Sequence, residues 1–351
     1  MKQQFMRCIT DSDWRCRVSG ILGLALLIVV VVYGRIALSA APTPVHLVVY
    51  AFSTQEEVLT QSVFPAFEAR WEAETGRALT IEGVFGPSAT LAGQINLGAP
   101  ADVALFSNAQ DVTHLKVGRR VRADSQPVVV GHTPMVIVTR PGNPWGIAGF
   151  ADLARPGVQL LHADPRTSGA GQWAILAEYG SALPGTGDPA AAQAQVQAIW
   201  HNVRLLAASA RAGMTLFELG AGDAFVTYEH DALLSRERGV ALEIVVPPCT
   251  IVAQHVAVIV DDNVTPGERL AAQAFLDYLR GEAGQQALRR YHLRPADLDG
   301  ESFPEILQPL TVEELGGWAV AYTQLVEGLW KAEIEPSLDL ASIPTVVGTG
   351  E

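Results

Sequence analysis

Three loops in this sequence combine small hydroxyl residues with the predicted start of a helix. They are Ser53-Thr54, Gly86-Pro87-Ser88-Ala89 and residues 167–171 (TSGAG), and each follows a run typical of a buried strand. The first turn of a helix leaves backbone N–H groups without partners and carries roughly half a positive charge. A hydroxyl adds a further donor, and glycine or alanine lets a ligand approach the backbone closely. Any one of these loops could be only a helix cap, but the ordered set of three predicts an anion site without cationic side chains.

The elements that must position these loops follow one repeating pattern from Val45 onward. Apolar runs such as VHLVVYAF alternate with amphipathic, helix-like segments. This alternation predicts an α/β fold with mainly parallel sheets and helices on their faces. The pattern changes near residue 130, where PVVVGHTPMVIVTRPGNP predicts two short extended pieces, and a further apolar run begins near residue 250.

We interpret residues 130–140 and 250–260 as two crossings between two lobes. The first lobe is then discontinuous and comprises residues 45–133 plus 257–345, and the second comprises residues 134–256. The three loops therefore come from both lobes, and a hinge motion at the crossings would close them over a ligand. The tail after about residue 336 is expected to be a disordered end.

Residues 1–41 differ from everything that follows. Four basic residues precede an uncharged apolar run at 21–33 (ILGLALLIVVVVY), and the small residues of ALSAAP come after it. This arrangement predicts an export signal, although an uncleaved N-terminal membrane anchor is the alternative. Under both interpretations, the chain from about residue 42 lies outside the cytoplasmic membrane.

Composition excludes several classes of function. With 49% hydrophobic and 17% charged residues, the chain has ample material for a core. Its net charge of −13 argues against a nucleic-acid partner, which requires a basic face. Cys249 is the one cysteine after the apolar run, so we interpret it as a buried apolar residue.

Catalytic and metal-binding patterns are not found in the sequence. There is no HExxH, GxSxG or GxxxxGK[ST] pattern, and the eight histidines are scattered singly. A hydrolase that uses Ser168 would lack a base at motif spacing. We therefore predict a binding protein that is not an enzyme and that has neither a cofactor nor a metal site.

Several segments also resemble one known family, in the expected order, over residues 45–330. The clearest is DPRTSGAGQWAILAEYGSAL (164–183), which is similar to that family's PxPKTSGGARW…GYAL segment. The others are GAPADVALFS (98–107), VTRPGNP (138–144), SARAG…LFELGAGDAFVTYEHDALL (209–234), YHLRPAD (291–297) and VEELGGW (312–318). The family is that of the sulfate/thiosulfate-binding proteins of ABC importers, in the type II periplasmic binding protein class.

The resemblance implies a two-lobed, monomeric receptor that delivers a tetrahedral oxyanion to a membrane permease. It also implies ligand contacts at particular positions. Ser88 matches the serine of the family's GGSG loop, Ala210 matches the alanine of its GARG turn, and its SGG is matched by Ser168, Gly169 and Ala170. Ser53 stands where the family has an aspartate whose backbone N–H is used, and Tyr228 stands where it has a tryptophan that donates its indole N–H.

Tyr228 leaves the identity of the anion open among sulfate, thiosulfate, molybdate and tungstate. Molybdate-binding proteins use a tyrosine in a broadly similar role, whereas sulfate is fully deprotonated and requires only donors. Asp164 and Glu229 lie near the loops, but the resemblance gives neither a ligand position, and Arg211 either supports the site or forms an ion pair. Sulfate or thiosulfate capture is the first hypothesis. A molybdate or tungstate receptor and a membrane-anchored oxyanion sensor are the alternatives.

Overall fold

The computed structural model describes residues 43–297 and 303–338, which form ten strands and ten helical segments. The strands are β1 (Val45–Phe52), β2 (Leu79–Gly86), β3 (Val103–Phe106), β4 (Val128–Thr139), β5 (Leu160–Ala163), β6 (Val203–Ala207), β7 (Ala224–Tyr228), β8 (Glu243–Val245), β9 (Cys249–Ile259) and β10 (Gln308–Leu310). The regular helices are α2 (Ser88–Asn96), α3 (Ala109–Val117), α4 (Gly169–Thr186), α5 (Pro189–His201), α6 (Ala210–Glu218), α7 (Glu229–Glu237), α8 (Pro266–Arg280) and α9 (Glu282–Arg290). Short 3₁₀ turns occur at Phe150–Ala154 and Glu313–Leu315.

Two further helical stretches, α1 and α10, are irregular. The α1 stretch covers residues 53–75 and consists of a 3₁₀ turn (Ser53–Gln55), an α-helical turn (Glu56–Val58), a π-helical segment (Leu59–Val63) and an α-helix (Phe64–Thr75). Pro65 lacks an N–H for the preceding turn, and the chain widens into the π-helical segment just before it. The α10 stretch covers residues 317–337 and begins as Gly317–Ala321, continues as a π-helical segment (Tyr322–Ile334) and ends as Glu335–Ser337.

The strands follow the order β2-β1-β3-β9-β4-β7-β5-β6, with β10 beside β9 and β8 beside β4. At one end β1 pairs in parallel with β2 and β3, and at the other end β5 pairs in parallel with β6 and β7. The long strands β4 and β9 are antiparallel to each other and connect the two ends. We call the part of the fold around β1–β3 the first half and the part around β5–β7 the second half. The predicted α/β fold, with two mainly parallel halves and two connecting strands, is therefore confirmed.

One detail of the predicted crossings differs from the structure. The sequence predicts two extended pieces separated by Pro134, but β4 is one strand that runs through this proline. Pro134 is the last residue of β4 that pairs with β9, opposite Val252, and Met135 is the first that pairs with β7. Because the strand changes partner here, the missing N–H of proline falls where the ladder is already interrupted.

The last part of the chain packs against the second half of the fold. β10 pairs with the start of β9, and Trp330 of α10 lies 5.5 Å from Trp200 of α5 between ring centroids. The sequence predicts that residues 257–345 belong to the first lobe. The limits of the two lobes stay a prediction. Residues 1–41, with the predicted signal or anchor, and the end of the tail lie outside the described residues. In the described part of the chain, no helix is both long enough and apolar enough to cross a membrane.

Candidate functional site

All seven residues predicted to contact a ligand line one small cavity. The cavity lies between the two halves of the fold, where several strands end and helices begin. Its lining consists of Phe52, Ser53, Thr54, Pro87, Ser88, Ser107, Ser168, Gly169, Ala170, Ser209, Ala210 and Tyr228. The three hydroxyl loops therefore converge as expected in space, while their use as ligand contacts stays a prediction.

Helix starts from both halves point backbone donors at this cavity. α2 begins at Ser88 after the N-cap residue Pro87, and α4 begins at Gly169 after the N-cap residue Ser168. Neither N-cap side chain accepts a hydrogen bond from its own helix, so side-chain capping does not use the first N–H groups, although the Ala89 N–H donates to the Thr167 carbonyl. With the start of α6 at Ala210, the geometry is that of an anion site made from helix dipoles.

The two halves touch each other at the edge of the cavity, through Gly169 and Ser107. A Cβ atom on Gly169 would overlap the Ser107 Oγ atom, so a larger residue here would have to displace the Ser107 side chain. Direct hydrogen bonds join the same surfaces: Trp173 Nε1 donates to the Ser107 carbonyl at 2.8 Å, and the Ala89 N–H donates to the Thr167 carbonyl at 3.0 Å. The structure thus places both halves in contact around the predicted ligand.

Tyr228 presents a buried hydroxyl to the cavity from the second half. Its side chain is 1% exposed and packs against His230, with ring centroids 5.4 Å apart, and against Phe52 and His255. Within the described residues, neither its hydroxyl nor that of Ser107 makes a well-formed hydrogen bond. Burial raises the pKa of Tyr228, although the nearby Ser107 hydroxyl opposes the rise, so the phenol keeps its proton for donation.

The histidines beside Tyr228 do not supply positive charge. Burial lowers the pKa of His230 to about 3 and lowers that of His255 well below its usual value. His230 contacts Thr133 and Thr54, with its ring nitrogens 3.2 Å and 3.1 Å from their hydroxyl oxygens. Both rings are therefore neutral at physiological pH and serve to pack the phenol.

Ser88 is engaged more deeply than the sequence indicated. Its hydroxyl donates to Asp111 Oδ2 at 2.6 Å and accepts the Ser107 N–H at 3.0 Å. Asp111 lies on α3 and is fully buried. Burial raises the pKa of this carboxyl to about 7, and the Ser88 hydrogen bond opposes part of the rise.

The charged residues that the sequence placed near the loops are engaged elsewhere. The Asp164 carboxylate accepts hydrogen bonds from the backbone and guanidinium of Arg166, and Glu229 pairs with Arg294 at 2.8 Å. Arg211 Nη2 lies 3.4 Å from the buried Asp231 Oδ1. None of these side chains lines the cavity.

Sequence reasoning missed four polar residues at or beside the cavity: Thr54, Ser107 and Ser209 line it, and Asp111 lies behind Ser88. Ser107 and Ser209 each follow a strand and precede a helix, so the signal used for the other loops was present there too. Thr54 adjoins Ser53 in a loop that was already singled out. Asp111 gave no such signal, since an acidic residue in the first turn of a helix is ordinarily a response to the helix dipole.

The chemistry available in the cavity is that of neutral donors. Its lining includes five serines, one threonine and one tyrosine, and no lysine, arginine or histidine. In residues 43–297 and 303–338, no group of three or more His, Cys, Asp or Glu side chains is arranged to hold a metal ion. The arrangement can therefore hold an anion through backbone and hydroxyl dipoles.

Comparisons with known proteins agree with this geometry. A sequence model of the family described as "Bacterial extracellular solute-binding protein" matches residues 47–294. The sulfate-binding protein of Salmonella typhimurium is 35% identical over 73% of this chain and 82% of its own length. The thiosulfate-binding protein of Pseudomonas aeruginosa is 30% identical over 75% of this chain and 84% of its own length.

Solved structures agree as well. The sulfate-binding protein SubI from Mycobacterium tuberculosis has a TM-score of 0.73 and 27% identity, covering 80% of this chain and 99% of its own. A periplasmic thiamin-binding protein, at 17% identity and a TM-score of 0.61, shares the fold. The family resemblance stated from the sequence is confirmed, and the chain belongs to the bacterial extracellular solute-binding protein family.

Proposed function

We propose that this protein captures sulfate, or thiosulfate, outside the cytoplasmic membrane and delivers it to the permease of an ABC importer. The observation that carries the proposal is the cavity between the two halves, lined only by neutral donors and packing groups. Its sulfate- and thiosulfate-binding relatives support the same class of ligand.

A lining that offers hydrogen-bond donors favours a ligand that is negatively charged and only accepts hydrogen bonds. Sulfate carries no proton at neutral pH, so each of its oxygens accepts hydrogen bonds only. Helix starts at Ser88, Gly169 and Ala210 offer N–H groups, and Tyr228 offers a hydroxyl that keeps its proton. A dianion stripped of water would be stabilised by these dipoles without any ion pair.

Capture requires that ligand binding changes the protein. Because the proposed contacts come from both halves, a bound anion would stabilise the form in which the halves meet. We propose that the protein acts as a monomer and presents this closed form to the permease.

Sequencing the N-terminus of protein from its native host tests the predicted export signal and therefore the proposed location. A start between about residues 38 and 44 supports cleavage, whereas an intact Met1 or Lys2 on membrane-associated protein supports the anchor.

A molybdate or tungstate receptor is the second candidate, and the Tyr228 hydroxyl is the observation that favours it. Isothermal titration of the purified protein with sulfate, thiosulfate, molybdate, tungstate and phosphate separates the candidates. We expect tight binding of sulfate or thiosulfate and none of phosphate. A protein that ignores sulfate and thiosulfate and binds molybdate would overturn the first proposal while leaving the fold and the cavity intact.

Thermal unfolding gives an independent test. Sulfate should raise the melting temperature well above the effect of chloride at the same ionic strength, because a specific ligand stabilises only the native state. Equal shifts with both salts would mean that the cavity does not recognise the anion specifically.

A further inference from the structure

A buried carboxyl lies directly behind the predicted ligand contacts. Asp111 does not line the cavity, but its Oδ2 is 2.6 Å from the hydroxyl oxygen of Ser88, which does. Its other oxygen, Oδ1, is buried and makes no hydrogen bond among the described residues. The carboxyl is thus hydrogen-bonded to a residue of the cavity lining.

The hydrogen-bonding capacity of that hydroxyl decides what the cavity offers. A serine hydroxyl has one proton and two lone pairs. One lone pair of Ser88 accepts the Ser107 N–H at 3.0 Å. If Asp111 is ionised, the Ser88 proton must point at Asp111, and the remaining lone pair is left toward the cavity. If Asp111 is protonated, it donates to Ser88, and the Ser88 proton is free to point into the cavity.

Only the second arrangement suits a fully deprotonated anion, because a lone pair facing an anionic oxygen is repulsive. We propose that binding of the dianion is coupled to protonation of Asp111, which reverses the Ser88 hydroxyl from an acceptor to a donor. This inference rests on the proposed function. Asp111 is then a positioning residue that sets the direction of a ligand-binding hydroxyl.

The surroundings of Asp111 allow this protonation near neutral pH. On its own helix, His114 Nδ1 lies 3.9 Å from Asp111 Oδ1, and burial lowers the pKa of His114. Tyr228 from the second half and Tyr322 from α10 also face Asp111, and burial raises the pKa of both. The negative charge of Glu327 on α10 raises the pKa of Tyr322 further and opposes part of the fall in the pKa of His114.

No counter-charge holds Asp111 in its ionised form. α2, which packs against Asp111 through Ser88, has no ionisable side chain. Among the described residues, no lysine or arginine lies within ion-pair distance of Asp111. The neighbours of the carboxyl are therefore neutral around pH 7. Burial holds its pKa at about 7, so gaining a proton costs little there.

The expected pH dependence has a definite sign. If the dianion binds only the form with protonated Asp111, the apparent affinity follows the protonated fraction of the free protein. The affinity is then constant below the pKa and falls as pH rises above it. With a pKa of about 7, sulfate should bind about tenfold more weakly at pH 8 than at pH 6. Sulfate itself does not titrate in this range, so the change reports the protein.

The test is isothermal titration of the full chain with sulfate at pH 6, 7 and 8, in buffers of different ionisation enthalpy. We expect the wild type to take up close to one proton per sulfate bound at pH 8 and much less at pH 6. Asp111→Asn should bind sulfate without proton uptake and with the same affinity at both pH values, because its amide does not titrate. Ser88→Ala should bind more weakly but with equally little pH dependence.

Two controls locate the proton. His114→Gln should keep the uptake of the wild type, and so should Glu178→Gln, which changes a second buried carboxyl on α4. Sulfate binding by the wild type with no proton uptake and a flat affinity overturns the inference, as does uptake that persists in Asp111→Asn. If Asp111→Asn does not fold, the wild-type proton count and Ser88→Ala decide the matter. A wild type that binds sulfate at no pH contradicts the proposed function instead.

Discussion

Two buried carboxyls, one in each half of the fold, have similar environments but different hydrogen-bond partners. Asp111 on α3 and Glu178 on α4 are both fully buried, and burial raises their pKa values to about 7 and about 8. Glu178 accepts a hydrogen bond from Trp200 Nε1 at 2.8 Å and lies 3.3 Å from His162 Nε2. Asp111 contacts instead a serine that lines the cavity.

The difference shows that burial and a raised pKa do not by themselves identify a functional group. The Glu178 cluster consists of side chains from α4, α5 and β5 that contact one another inside an apolar core. Burial also lowers the pKa of His162 to about 3, so this cluster is neutral. We call it closed because none of its side chains lines the cavity. Asp111 differs because the serine to which it is hydrogen-bonded lines the cavity. Substitutions at the cavity and in the Glu178 cluster test this contrast between a cavity-linked polar group and a closed one.

The largest effect is expected from Gly169→Ala. The added Cβ would overlap Ser107 Oγ and crowd Asn108 Nδ2, so the halves could meet around the cavity only if these side chains moved. We expect sulfate affinity to fall by at least a hundredfold, about 3 kcal/mol. Gly185→Ala, on the same helix but with open space around the new Cβ, is the matched control and should bind normally. Titration calorimetry measures both, and normal binding by Gly169→Ala would refute the proposed contact between the halves.

The next largest effect is expected from Tyr228→Phe, which removes the buried hydroxyl that faces the cavity. A hydrogen bond to a charged group contributes roughly 1.5–3 kcal/mol, so affinity should fall about ten- to a hundredfold. Stability without ligand should change little, because the hydroxyl makes no well-formed hydrogen bond in the described structure. Tyr291→Phe, which removes a surface hydroxyl bonded to Gln61, is the control. Unchanged affinity in Tyr228→Phe would mean that the phenol only packs.

A tryptophan at the same position separates the anions. If the cavity is built for sulfate as in its relatives, Tyr228→Trp should retain sulfate binding through the indole N–H. If it is sized for molybdate around a tyrosine, the larger ring should weaken binding of both anions. Parallel titrations with sulfate and molybdate distinguish these outcomes.

Glu178→Gln should change the pH dependence of stability without changing that of binding. The folded-state pKa of Glu178 is about 8, above its ordinary value of 4.5, so the native state holds a proton that the unfolded state releases. Stability of the wild type should therefore fall as pH rises between these values, by up to about 1.4 kcal/mol per pH unit. Glutamine stays neutral and should remove this part of the slope. Urea unfolding at pH 5.5 and 7.5 measures it.

Asp111→Asn is the counterpart in the other half and should flatten the stability profile between about pH 4 and 7 for the same reason. Of the two carboxyl variants, only Asp111→Asn should also flatten the pH profile of sulfate affinity. If Glu178→Gln altered sulfate binding as Asp111→Asn does, the contrast between a linked and a closed carboxyl would be lost.

The smallest effect is expected from a pair of serines that differ in capping. The Ser209 hydroxyl accepts the Ala212 N–H at 3.1 Å and so caps α6, whereas Ser168 forms no side-chain cap on α4. Ser209→Ala should cost about 1 kcal/mol of unfolding free energy with little change in sulfate affinity. Ser168→Ala should show the reverse, with weaker binding and nearly unchanged stability. Thermal unfolding and titration of both variants would reveal whether the two hydroxyls have separate roles.

Much of the fold and the cavity could be predicted because the signals are local. Alternating strand-like and helix-like runs are periodic over a few residues, and they predicted the α/β class. The hydroxyl loops were recognisable one at a time, and all seven predicted residues line one cavity. The RPGNP segment marked the family, but Arg140 within it is structural. Its guanidinium donates to the Phe217 carbonyl in the last turn of α6 and to the Ala221 and Gly222 carbonyls just after that helix.

The sequence by itself determined the order of strands, hydroxyl loops and helix starts, and through them the class of fold and the predicted kind of ligand. Only the tertiary structure decided which polar groups meet. Ser88 and Asp111 are 23 residues apart, and Ser107 meets Gly169 from the opposite half. Such contacts depend on how the two halves pack, because the free energy of burying a polar group is set by partners distant in sequence. A first-turn aspartate therefore looks the same in sequence whether it faces solvent or is buried against a serine of the cavity lining.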